Sequence, residues 1–182
     1  MTEGEIIQGC INKNADAQHT LFLNYAEILM TICRRYSGDR AEAEDMLQEA
    51  FIRIFKFINQ YRSAGSFEGW IKKITVRSCL QILQNKKVRF SELTDSHQEV
   101  HSSAPDIISD LSVDELLKCI SELPVGYRMI FNLYVMEGFS HEEIARMLNI
   151  KTATSRSQLS KARSVLQAKI NSLQKISVKY DR

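Results

Sequence analysis

Glycine and proline are scarce in this chain, seven and two among 182 residues. Both residues break helices and mark turns, so their shortage argues against a turn-rich β-sandwich and for helices throughout. No apolar run approaches the roughly 20 residues needed to cross a bilayer, and the N-terminus has neither a basic start nor an apolar secretion core. A soluble, cytoplasmic protein is expected. Cys10, Cys33, Cys79 and Cys119 lie far apart, with no Cys-x-x-Cys pair and no suitably spaced histidine. That spacing excludes a zinc ribbon or a disulfide frame and leaves four small buried hydrophobes in a reducing compartment. His19, His97, His101 and His141 are scattered, so no metal site is expected. Neither a glycine-rich phosphate loop nor a nucleophile with a placed base is present, and no cofactor or catalysed reaction is expected. With 44% hydrophobic residues, the chain can bury a core as one large domain or as two small ones.

The formal net charge is only +2, but the charge is unevenly spread. From Ile144 to Tyr180 the charged residues are Arg146, Lys151, Arg156, Lys161, Arg163, Lys169, Lys175 and Lys179, with no acid among them. A second basic stretch runs through Arg62, Lys72, Lys73, Arg77, Lys86, Lys87 and Arg89, interrupted only by Glu68. Acid gathers in Asp39, Glu42, Glu44, Asp45 and Glu49, and again from Glu92 to Glu115. Solvated helix faces normally mix both signs. Two cationic stretches separated by acid point instead to two contacts with a polyanion.

Apolar residues recur at helical spacing from Leu21 through Phe22, Tyr25, Ile28, Leu29, Ile32 and Cys33 to Tyr36, and again from Ala43 through Met46, Leu47, Ala50, Phe51, Ile54 and Phe55 to Ile58. These predict a helical hairpin, preceded by a short helix around Glu5 to Ile11. Phe67, Trp70, Ile71, Ile74 and Ile82 mark a third long helix that ends in the basic run at Lys86 and Lys87. Periodicity then fails, while Ser, Asp, His and Pro105 accumulate, which predicts a polar linker over 89–112 between domains at 1–88 and 113–182. In the second domain a helix spans Val113 to Ser121. Pro124 is expected at the first position of the next helix, where its missing N–H costs nothing. Tyr127, Ile130, Phe131 and Tyr134 supply the apolar side of that helix before a stop at Gly138.

The last segment has the form of a helix-turn-helix. Ser140 and Glu143 make a capping box, Asn149 suits a left-handed turn residue, and Thr152 is expected to cap a longer basic helix. Ile144, Ala145, Leu148, Ile150, Leu159, Ala162 and Leu166 give each helix one apolar stripe. Arg156, Ser157, Ser160, Lys161 and Arg163 are left on other faces, where a helix lying in a DNA major groove carries its base-reading side chains. The fold class expected from all this is all-α, two small helical domains joined by a polar linker.

Taken in order, these parts resemble the extracytoplasmic-function group of sigma-70-type RNA polymerase sigma factors over nearly the whole length. The resemblance rests on Asp45-Met46-Leu47-Gln48-Glu49-Ala50-Phe51, on Phe67-Glu68-Gly69-Trp70-Ile71, and on Leu123-Pro124 followed by Arg128. It continues through Gly138-Phe139-Ser140 and Glu143-Ile144-Ala145 to Thr154-Ser155-Arg156-Ser157-Gln158-Leu159 and Lys161-Ala162-Arg163. A helix-turn-helix alone is shared by many regulators, but this ordered set is specific. It implies a transcription initiation factor that binds core RNA polymerase, recognises the minus-ten and minus-thirty-five promoter elements and nucleates strand opening without being an enzyme. It also implies an anti-sigma partner.

Residue by residue, the resemblance implies that Asp45, Gln48, Glu49 and Phe51 face the polymerase, with core packing as the alternative for Phe51. The turn from Tyr61 through Arg62, Ser63, Ala64 and Gly65 to Ser66, followed by Phe67, matches the loop that holds a base flipped from the minus-ten duplex. Extruding a base costs a few kcal/mol, and stacking in a pocket returns about 1–3 kcal/mol per base. Lys72, Lys73, Arg77, Lys86 and Lys87 would hold strand phosphates, and Trp70 is either a stacking platform or a core anchor. Where the family commonly has Asn, Asp and Arg along this helix, the chain aligns Arg77, Gln81 and Gln84. For the minus-thirty-five element, Arg156, Ser157, Ser160 and Lys161 match the base-reading positions, with Thr154 and Arg163 near phosphates. Arg156 is the first choice for reading guanine, to which arginine makes two hydrogen bonds. Ala153 stands where glycine is more usual and Ser155 where valine is.

Two rivals share the DNA-binding tail. A dimeric helix-turn-helix regulator leaves the first domain unexplained, and a recombinase needs an arginine-supported Ser or Tyr nucleophile that the sequence does not supply.

Overall fold

A computed structural model describes residues 1–85 and 112–180, with the side chains of the last helix described as far as Leu173. The expected linker therefore lies outside the described residues apart from Ser112, as do Lys86, Lys87, Arg89, His97 and His101. The chain divides into two compact units, 1–86 and 87–182. Every regular element among the described residues is helical.

The first unit holds α1 (Glu3–Ile11), α2 (Ala15–Tyr36), α3 (Arg40–Phe57) and α4 (Phe67–Asn85), with a 3-10 turn at Ile58–Gln60. Each start has a local cause. Thr2 and Glu5 form a reciprocal capping box, Asn14 accepts from Ala17 N, and Asp39 accepts from Glu42 N, so otherwise orphaned backbone donors are satisfied. Ser66 opens α4 in the same way, its Oγ accepting from Gly69 N at 3.1 Å. The helices meet through Leu21, Leu29, Tyr36, Met46, Ile54, Ile71 and Leu83, each fully buried and each contributing about 1.5–3 kcal/mol through removal from water. All four cysteines are buried free thiols. Those of Cys33 on α2 and Cys79 on α4 face each other with sulfurs 4.0 Å apart. Phe22 and Ile28, expected in the apolar stripe of α2, stay 42% and 36% exposed at its edge.

The second unit contains α5 (Val113–Ser121), α6 (Val125–Phe131), a π-helical turn at Asn132–Met136, α7 (His141–Leu148) and α8 (Thr152–Tyr180). Ser112 and Ser140 form capping boxes with Glu115 and Glu143. Pro124 departs from expectation: it is the N-cap of α6, at φ -49° and ψ 138°, and its carbonyl accepts from Arg128 N. Cys119, Ile120, Leu123 and Tyr127 pack on Ala162 and Leu166 of α8. Asn149 adopts φ 53°, ψ 48° after α7, the left-handed conformation that lets the chain reverse within a few residues. Thr152 does not cap α8 but is its first helical residue. The cap position belongs to Lys151, whose carbonyl accepts from Ser155 N at 3.1 Å.

Candidate nucleic-acid interface

Three surfaces carry the residues singled out by the sequence. On α3, Asp45 and Gln48 are exposed and Glu49 is half-buried. Spaced three and four apart, they share one helix face. Glu49 accepts from Arg53 Nε at 2.6 Å, and Arg53 donates in turn to Gln81 Oε1 of α4 at 2.6 Å. The side chain that continues this face is Ile52, which is 55% exposed. It was missed from sequence, although its place outside the apolar stripe was a usable signal. Phe51 is not on this surface. It is buried against Phe22 and Phe55, at ring-centroid distances of 4.8 and 5.9 Å, which settles its alternatives in favour of packing.

The second surface begins at the turn between α3 and α4. Gly65 takes φ +121° and Ser63 φ 56°, conformations that glycine reaches freely and other residues seldom do. The tight bend is pinned where Tyr61 Oη donates to the Gly65 carbonyl at 2.7 Å. Arg62, Ser63 and Ala64 are thereby held out in solvent. Behind them Tyr61, Phe67 and Trp70 form an aromatic cluster with ring centroids 5.1, 5.7 and 5.8 Å apart. Phe67 is 1% exposed, so this expected DNA-contacting residue is corrected to a core position that supports the cluster. Trp70 packs on it and remains half-buried, able to present an edge or face. From Trp70, one face of α4 carries exposed Lys73, Arg77, Gln81 and Gln84, at the three- and four-residue spacing of a helical stripe. Lys72 lies beside it, paired to Glu68 at 2.5 Å. Tyr25 also reaches this cluster, its ring 5.8 Å from that of Phe67. Burial and the Glu3 carboxylate push its phenol up to about 12.

On the helix-turn-helix, Arg156, Ser157, Ser160 and Arg163 are exposed, while Thr154 and Lys161 are half-buried. Arg156 reaches Glu142 at 3.4 Å, an exposed contact of little energetic weight. Arg163 lies over the Tyr134 ring at 5.9 Å. The unusual Ser155 is fully buried, its Oγ 2.9 Å from His141 Nδ1. Burial foremost, then the positive charge of Arg156, against the opposing carboxylate of Glu142, holds the His141 imidazole below its ordinary pKa. Neither His141 nor Tyr134 was expected at this surface, because the contacts joining them to α8 cross between helices.

Residues 21–88 match the family Sigma-70 region 2, and residues 113–166 match Sigma-70, region 4. The ECF RNA polymerase sigma factor SigE of Mycolicibacterium smegmatis (strain ATCC 700084 / mc(2)155) is 31% identical over 152 residues, 81% of this chain. The chain spans 59% of the length of that relative. The ECF RNA polymerase sigma-E factor of Escherichia coli (strain K12) is 24% identical over 188 residues, covering 95% of this chain and 96% of that protein. The sigma factor RpoE of Bartonella quintana, crystallised in complex with the anti-sigma factor NepR, shares the fold with a TM-score of 0.52 at 18% identity, over 84% of this chain and 96% of that one. Among the described residues no helix is long and apolar enough to cross a membrane. The ordered motifs, the two family matches and these relatives together establish that the chain belongs to the extracytoplasmic-function group of sigma-70-type RNA polymerase sigma factors.

Proposed function

We propose that this chain joins core RNA polymerase in the cytoplasm, directs it to a subset of promoters and nucleates their opening. In this reading the unit from residue 1 to about 88 binds polymerase and the minus-ten element, and the unit from about 113 binds the minus-thirty-five element. The observation that carries it is the presence, in one chain, of a cationic face in each helical unit: Trp70, Lys73 and Arg77 on α4, and Arg156, Ser157 and Ser160 on α8. A duplex reader alone has no use for the first.

Arg156 is assigned to base readout. Thr154, Lys161 and Arg163 are assigned to flanking contacts, and Arg62, Ser63, Lys72, Lys86 and Lys87 to the melted strand. The face of Asp45, Gln48, Glu49 and Ile52 is assigned to polymerase: its apolar centre supplies area removed from water, and its acids favour a basic partner surface. An anti-sigma protein that covered the same surfaces would mask the factor; the Bartonella relative was crystallised in complex with one. Run-off transcription with core enzyme, using fragments selected from a random library, tests the proposal. Start-site selection that depends on the added chain is expected. Transcription identical with and without the chain, at low salt, would overturn it.

A further inference from the structure

The recognition helix α8 is gripped at two places by residues outside it. Ser155 Oγ, fully buried, meets His141 Nδ1 at 2.9 Å. Two turns further along, the Arg163 guanidinium lies over the Tyr134 ring. The two grips are one assembly, because the Tyr134 and His141 rings stack at 4.4 Å with planes 22° apart. Ser155 and Arg163 are eight residues apart, about 12 Å along a helix axis. Two anchors at that separation fix both the register and the rotation of α8 where a single contact would fix only one point. Arg156 follows Ser155 directly, and its guanidinium reaches the exposed Glu142, the neighbour of His141. The buried bond thus fixes the backbone from which the Arg156 side chain departs.

We propose that His141 is a positioning residue for promoter recognition: bridging Tyr134 and Ser155, it fixes α8 so that Arg156 meets its base edge. This rests on the assignment of Arg156 to base readout. A serine at position 155 then has a use that a valine cannot serve, since a buried hydroxyl needs a partner and His141 is that partner. Stacking on Tyr134 holds the imidazole so that Nδ1, the atom an asparagine amide can mimic, points at the hydroxyl.

The test measures binding of holoenzyme, assembled from the full chain and core polymerase, to a duplex selected by the wild-type holoenzyme from a random library. H141A should weaken binding about five- to tenfold, the worth of one hydrogen bond and its stacking. H141N, which keeps a hydrogen-bonding group for Ser155 but not the ring, should restore part of the loss. R156A should weaken binding about tenfold or more, and the double variant H141A/R156A should lose less than the product of the two single losses, since the main contact that His141 positions is then already absent. Thermal unfolding of each variant separates loss of fold from loss of position. The proposal is overturned if H141A binds as wild type while R156A is weakened, if the double variant shows the product of the two losses, or if H141N is as weak as H141A. An R156A holoenzyme with wild-type affinity would instead remove the base-readout assignment beneath it.

Discussion

The imidazole of His141 and the hydroxyl of Ser155 meet at 2.9 Å across the turn of the helix-turn-helix, in surroundings that favour the uncharged ring. Burial, together with Arg156 and Arg163, lowers the pKa of His141 from its ordinary 6.5, and Glu142 opposes them only in part. The unfolded chain therefore takes up a proton at this residue before the folded chain does. The stabilising contribution is fully present above pH 6.5 and is lost as pH falls through the folded-state pKa. Thermal unfolding followed between pH 7.5 and 5 should show a decline that is smaller in H141N. An identical decline in both proteins would show that other groups carry it.

Ile52 is 55% exposed beside Asp45, Gln48 and Glu49. I52S should leave the melting temperature nearly unchanged, since little apolar area is recovered by the solvent, yet weaken association with core polymerase. D45K combined with E49K should abolish co-elution with polymerase in gel filtration while circular dichroism remains helical. Retained co-elution of the double variant would remove this face from the polymerase contact.

Phe67 and Trp70 are neighbours in one aromatic cluster but differ in exposure, so their variants should separate. F67A opens a cavity in the first unit and should cost about 3–5 kcal/mol of stability. W70A should cost less in unfolding experiments and more in promoter opening, read as permanganate reactivity of unpaired minus-ten thymines. Equal effects of W70A on stability and opening would make Trp70 a packing residue only.

Asn149 turns the chain between α7 and α8 at φ 53°. N149V forces a β-branched side chain into the left-handed region and should destabilise the second unit by about 1–2 kcal/mol. N149G should be close to neutral. Denaturant unfolding of the full chain, monitored in the second unit, checks the pair.

Helix positions were legible because their causes are local. The capping box at Ser140 acts over three residues, and the apolar stripes of α2, α3 and α8 repeat within a turn or two. The misplacements were local as well: Pro124 is the N-cap of α6 instead of its first residue, and Thr152 begins α8 instead of capping it, each a displacement of one residue. The π-helical turn at Asn132–Met136 left no sequence signal.

The sequence by itself determined the class of fold, the two cationic helices and the left-handed turn at Asn149, since periodicity, charge and backbone preference are properties of short segments. Only the tertiary structure decided that Phe51 and Phe67 are interior, that Ile52 is left outside, that Arg53 spans 28 residues of sequence to reach Gln81, and that His141 grips Ser155 across 14. Each of those outcomes depends on how a helix is rotated about its own axis against a partner distant in the chain. That rotation is fixed by the simultaneous packing of several side chains, and no single segment contains it.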